Sequence, residues 1–112
     1  MDQGSQLNAA ELVERAAAGD HAAISRLMID VYPKLAARVE QRLPTDLKVV
    51  ITTEDILQEA FADAFARIGT FRPDGEDAFH RWIASIADNR VIDAVRAQRA
   101  AKRGGDWNRL SA

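Results

Sequence analysis

Between residues 57 and 68 Leu57, Phe61, Ala64, Phe65 and Ile68 form a single apolar stripe at helical spacing. Nowhere does the chain alternate apolar and polar residues at the period of two that a half-buried strand requires. In 112 residues, this restricts the fold to helices packed around one core, and the expectation is an all-α fold, a small bundle of about four helices. A chain this long fits one domain and buries roughly two-thirds of its unfolded surface.

The first helix is expected over about 9–18, capped by Asn8 with Glu11 three residues on as a capping box, and stopped by Gly19. The second starts after Asp20, a good N-cap, and continues to about Leu43, with a kink or break near Val31-Tyr32 imposed by Pro33. Pro44 ends it, and residues 44–52 connect. The third starts at Thr52 or Thr53 and ends near Ile68, with Gly69 as the stop. Pro73 and Asp74-Gly75 mark residues 69–77 as a loop. The fourth runs from about Asp77 to Lys102, with Phe79, Trp82, Ile83 and Ile86 as its core stripe, and Gly104-Gly105 releases the chain into a polar tail. Residues 1–7 are expected to be disordered, 8–103 to form the domain and 104–112 to begin a linker.

Charge divides these helices by task. The net charge is −2, yet residues 1–79 hold 8 basic and 14 acidic side chains while residues 80–112 hold 7 and 3. A binding face follows local potential rather than the total. On the third helix Asp55, Glu59 and Asp63 recur every four residues opposite the apolar stripe, a ridge of one sign with no lysine or arginine at i+4 of Asp55 or Glu59. Surface helices are commonly charged, so this ridge is either a solvated face or a docking surface for a basic partner. On the fourth helix the pattern changes phase past Asn89: Asn89, Asp93, Arg96 and Arg103 share one narrow face. Arg90, Arg96, Arg99, Lys102 and Arg103 stand against the single acid Asp93, more cations than a helix C-terminus needs, which points to nucleic acid. Asp93 either reads a base edge or anchors Arg96 at i+3. Phe79 reads as core, and Trp82 stands between core and base stacking.

Several classes are set aside. Without cysteine there is no disulfide or thiolate metal site. No apolar run approaches the roughly 20 residues of a membrane span, and Met1-Asp2-Gln3-Gly4-Ser5 does not begin a signal peptide. His21 and His80 repeat no metal motif, and no P-loop, nucleophile elbow or triad pattern is present. Catalytic residues, metal and cofactor are therefore expected to be none, with no small-molecule substrate.

From Thr52 to Arg103 the chain resembles regions 2.2 to 2.4 of the bacterial sigma-70 family, most of all its extracytoplasmic-function class. The signals are D-I-L-Q-E-A-F at 55–61, F-R-P-D-G at 71–75, A-F-H-R-W-I-A-S-I-A-D-N at 78–89 and R-V-I-D-A-V-R at 90–96. Residues 10–43 resemble region 2.1. Ala84 and Ser85 stand where members often carry arginine, and Asp88 adds an acid beside Asn89.

The resemblance implies a cytoplasmic bacterial transcription factor that is not an enzyme. It implies docking on the clamp helices of the largest subunit of core RNA polymerase through Asp55, Gln58, Glu59, Phe61 and Asp63. It also implies recognition and melting of the promoter −10 element on the non-template strand. Phe71 and Arg72 would shape a pocket for a flipped base, and Trp82, Asn89, Arg90, Asp93, Arg96, Arg99 and Arg103 would contact DNA. An anti-sigma factor is a further implied partner, and the family's region 4 is absent from residues 1–112. The rival reading is a helical protein-interaction adaptor that uses the acidic ridge without binding DNA. A helix-turn-helix reader is disfavoured by loop 69–77, since that motif needs a turn of about 3–4 residues.

Overall fold

The computed structural model describes the backbone of residues 9–75 and 77–111 and the side chains of 10–75 and 77–103. Four α-helices are present among them: α1 (Ala9–Ala17), α2 (His21–Arg42), α3 (Thr53–Ala66) and α4 (Ala78–Ser111). Short 3-10 turns precede and follow α3, at Thr45–Leu47 and Ile68–Thr70. No strand is found among the described residues.

Local chemistry explains the boundaries. Gly19 closes α1 in the left-handed region, at φ 94°. Its N–H donates to Ala16 O and that of Asp20 to Arg15 O, each at 2.9 Å, the paired bonds of a Schellman motif. Asp20 then caps α2, its carboxylate accepting from the N–H groups of Ala22 at 3.0 Å and Ala23 at 3.4 Å. Thr52 caps α3 by accepting from Asp55 N–H at 3.1 Å. Asn8 and the expected disordered start lie outside the described residues.

The break allowed for in α2 and the expected end of α4 are not found. Pro33 does not break α2, which runs uninterrupted from His21 to Arg42. Pro33 faces solvent, so the carbonyl it leaves without a helical partner can bond water. Gly104-Gly105 does not end α4, whose backbone continues to Ser111. Glycine costs a helix about 1 kcal/mol relative to alanine but keeps its N–H, unlike proline.

The core is one cluster contributed by all four helices, with Ile24, Leu35, Val39, Ile56, Leu57, Phe71, Phe79 and Ile83 among its most deeply buried side chains. Helix α3 contacts both α2 and α4. It therefore buries a wider arc than one stripe: Ile56, Leu57, Ala60 and Ala64 are buried, Phe61 and Ile68 half-buried, and Phe65 exposed. The expected stripe is thus corrected by rotation toward Ile56 and Ala60. Phe65, near the end of the helix, stacks on His21 at 4.7 Å between ring centroids. In α4 the core side ends at Val91, leaving Ala94, Val95 and Gln98 only half-buried.

Candidate functional site

Helix α3 presents Asp55, Gln58 and Glu59 to solvent. Asp63 behaves differently. Its carboxylate accepts from Arg90 Nε at 2.7 Å, and Glu59 stands 4.0 Å from the same guanidinium. The hydrogen bond that Arg90 donates to Asp63, then the charges of Asp63, Glu59 and Asp93, hold the Arg90 guanidinium above its ordinary pKa, against a lowering by desolvation. Among the described residues the acidic ridge is therefore free of ion pairs at Asp55, only loosely paired at Glu59 and firmly engaged at Asp63, and Arg90 bridges it to α4.

Beside the ridge lies an apolar groove that sequence reasoning missed, lined by Met28, Ile29, Tyr32, Pro33 and Phe61. Ile29 is 68% exposed. The signal was present, because Ile29 and Tyr32 fall outside the buried series Ile24, Leu27, Leu35 and Val39 on the same helix. Phe61 packs at the edge of this groove, 6.1 Å from Tyr32 between ring centroids.

The aromatic residues of the 69–77 segment and α4 form a structural unit. Phe71 is 1% exposed. It meets Phe79 edge-on at 5.7 Å and Trp82 at 5.0 Å, while Phe79 and Trp82 lie 6.0 Å apart. Phe71 is thus a core anchor for the loop and presents no ring face to a base, whereas Trp82 keeps a half-buried edge. Arg72 is exposed but folded onto its own loop, donating to Gly69 O at 3.1 Å and Phe71 O at 3.2 Å. Arg81 ties the loop to α4 by donating to Asp74 O at 2.8 Å.

On α4, Asn89, Asp93, Arg96 and Arg103 are all exposed on one face, as the spacing predicts. The flanks of that face are pinned by ion pairs. On one side stands Asp63–Arg90. On the other, Asp88 accepts from Arg38 at 2.9 and 2.7 Å and lies 3.3 Å from Arg42, while Arg99 lies 3.5 Å from Asp46 of the connector. The hydrogen bonds from Arg38 lower the Asp88 pKa below 3.8; desolvation opposes this, and the charges of Arg38 and Arg42 reinforce it. Asp88 is thus a tie between α2 and α4. No ion pair joins Asp93 to Arg96 among the described residues, so the expected anchor is replaced by a charge effect on Arg90. Between the end of α3 and α4 opens a cleft of about 510 Å³, lined by Arg67, Ile86, Asn89, Ile92 and Arg96 together with the acids and Arg90. No group of three or more metal-ligating side chains occurs among the described residues, and none of their helices is long and apolar enough to cross a membrane.

The sequence that builds this acidic α3 and polar α4 face matches a known family. The family model described as ECF sigma factor matches residues 6–112. The chain belongs to the ECF sigma factors. It is similar to the ECF RNA polymerase sigma factor BldN of Streptomyces coelicolor, 38% identical over 89 residues, which cover 80% of this chain and 32% of the relative. It is also similar to the ECF RNA polymerase sigma-E factor of Escherichia coli K12, 33% identical over 93 residues, covering 83% of this chain and 45% of the relative. The sigma-E factor of Salmonella typhimurium LT2 is 32% identical over 93 residues. The chain therefore spans under half the length of these relatives.

Proposed function

We propose that this ECF sigma chain is the part that docks on core RNA polymerase and captures the unpaired −10 element during transcription initiation, without itself catalysing a reaction. The observation that carries this reading is the adjacency of two unlike surfaces. Asp55, Gln58 and Glu59 stand open beside the apolar groove at Phe61, and the Asn89–Arg96 face lies across the Asp63–Arg90 pair. An acidic ridge with apolar anchors suits a partner helix bearing arginines, because charge sets orientation and buried side chains supply affinity. The α4 face offers an amide for base edges and arginines for phosphate. Melting is then thermodynamic: contacts to flipped bases offset the few kcal/mol of lost stacking.

The test is core-enzyme pull-down with Asp55→Arg combined with Glu59→Arg, both exposed positions whose replacement leaves the core intact. The variant should lose polymerase binding while retaining its helical circular dichroism. Undiminished binding by the folded variant removes the ridge from the interface.

A further inference from the structure

The cleft between the end of α3 and α4 contains one side chain that neither docking nor phosphate contact explains. Ile92 is 45% exposed, whereas Ile86, its apolar neighbour in the same cleft, is 6% exposed and belongs to the core. Around Ile92 stand the Asn89 amide and the guanidinium groups of Arg67 and Arg96, with the acids Asp63 and Asp93. No described residue of the 69–77 loop lines this space. A lone exposed aliphatic residue is ordinary on a convex surface. This one stands in a concavity whose other exposed walls are polar.

An amide donor next to an aliphatic side chain has a specific complement among the bases. Thymine carries an acceptor, O4, beside an apolar C5-methyl group. Cytosine offers a donor there and no methyl, and purines have no methyl at all. Asn89 and Ile92 lie three residues apart on α4, so their side chains are neighbours on one face. We propose that Ile92 is a specificity-determining residue that receives the C5-methyl group of a thymine in the unpaired strand, while Asn89 donates to O4 of the same base. This rests on the proposed single-strand reading and adds the identity of one base and the group that selects it.

The experiment compares oligothymidylate with oligodeoxyuridylate of equal length, which differ only by that methyl group. Fluorescence anisotropy is measured at low salt for the 112-residue chain and for Ile92→Ala and Ile92→Leu, with and without core polymerase. The parent chain should prefer the thymine strand about fourfold, which is the ~0.8 kcal/mol of a buried methyl converted at about 1.4 kcal/mol per tenfold. Ile92→Ala should lower thymine-strand affinity by about that factor and leave the uracil strand unchanged, and Ile92→Leu should keep the preference. Intrinsic differences in stacking between the two bases are common to all variants and cancel in the comparison. An equal thymine-to-uracil ratio in the parent chain and Ile92→Ala overturns the methyl contact alone. Failure of the parent chain to bind either strand in both formats overturns the single-strand reading and this inference with it.

Discussion

Replacement of Phe71 separates a loop that reads DNA from a loop held by the core. The ring is 1% exposed and packs at 5.0 Å on Trp82 and 5.7 Å on Phe79. Truncation of a fully buried phenylalanine to alanine costs about 3–5 kcal/mol, and loss of its two aromatic neighbours places this site in the upper part of that range. Against a total stability of roughly 5–15 kcal/mol for a domain, Phe71→Ala removes about a quarter or more. Phe71→Leu preserves most of the volume and should cost under about 1.5 kcal/mol. Urea unfolding followed by indole fluorescence in a Trp107→Phe background reports on Trp82 directly. With a slope of about 2 kcal/mol per molar, the Phe71→Ala midpoint should fall by roughly 2 M. Single-strand affinity of Phe71→Leu should match the parent chain. A midpoint shift under about 0.5 M for Phe71→Ala would show that the ring is not buried as described. A loss of about 1–3 kcal/mol in strand binding by Phe71→Leu, with stability intact, would instead mark it as a stacking platform.

Asn89→Ala should weaken a preferred −10 strand by about 1–3 kcal/mol and flatten discrimination between sequences, while Arg96→Ala should weaken all strands about equally; anisotropy titrations with matched and scrambled strands decide between them. Asp63→Asn should raise single-strand affinity of the free chain, because Arg90 loses the carboxylate that holds it at 2.7 Å; unchanged affinity in a folded variant would show that Arg90 does not reach DNA. Asp88 has a folded-state pKa below 3.8, so its contribution is complete above that value and is lost as pH falls through the folded pKa. The stability gap between the parent chain and Asp88→Asn, read from urea midpoints, should accordingly hold constant at neutral pH and shrink below about pH 4.

Local signals carried far in this sequence because the elements are stopped by local chemistry. Gly19, Asp20, Thr52 and Pro44 act within a few residues of themselves, and each boundary they mark is observed to within about two residues. Helical spacing likewise located the exposed Asn89–Asp93–Arg96 face. The misreadings are of contacts made at long range. The Arg90 pair with Asp63 spans 27 residues and the Arg38 pair with Asp88 spans 50. An acidic stripe of one sign therefore looked free although Arg90 of another helix bonds Asp63 and stands 4.0 Å from Glu59. Phe71 lies in the loop as expected, but the resemblance assigned it to a base pocket, whereas two aromatic rings of α4 draw it into the core. Ile92 passed unnoticed because a single aliphatic residue has no period.

Four arginines near the α4 face already carry a carboxylate: Arg38 and Arg42 share Asp88, Arg90 holds Asp63, and Arg99 holds Asp46. These acids are built-in counterions. When a phosphate displaces one of them, the cation exchanges one bound anion for another and no ion atmosphere need be released on its account. Among the described residues only Arg96, Lys102 and Arg103 of the basic run 90–103 lack an ion pair. Strand binding should therefore respond to salt with a slope of about 2 on logarithmic axes, the single-strand value for three phosphates, rather than the roughly 3.5 that five cations would produce. On the proposed single-strand reading, such a chain would give up electrostatic grip on any strand it meets, and its remaining affinity would be weighted toward the bases.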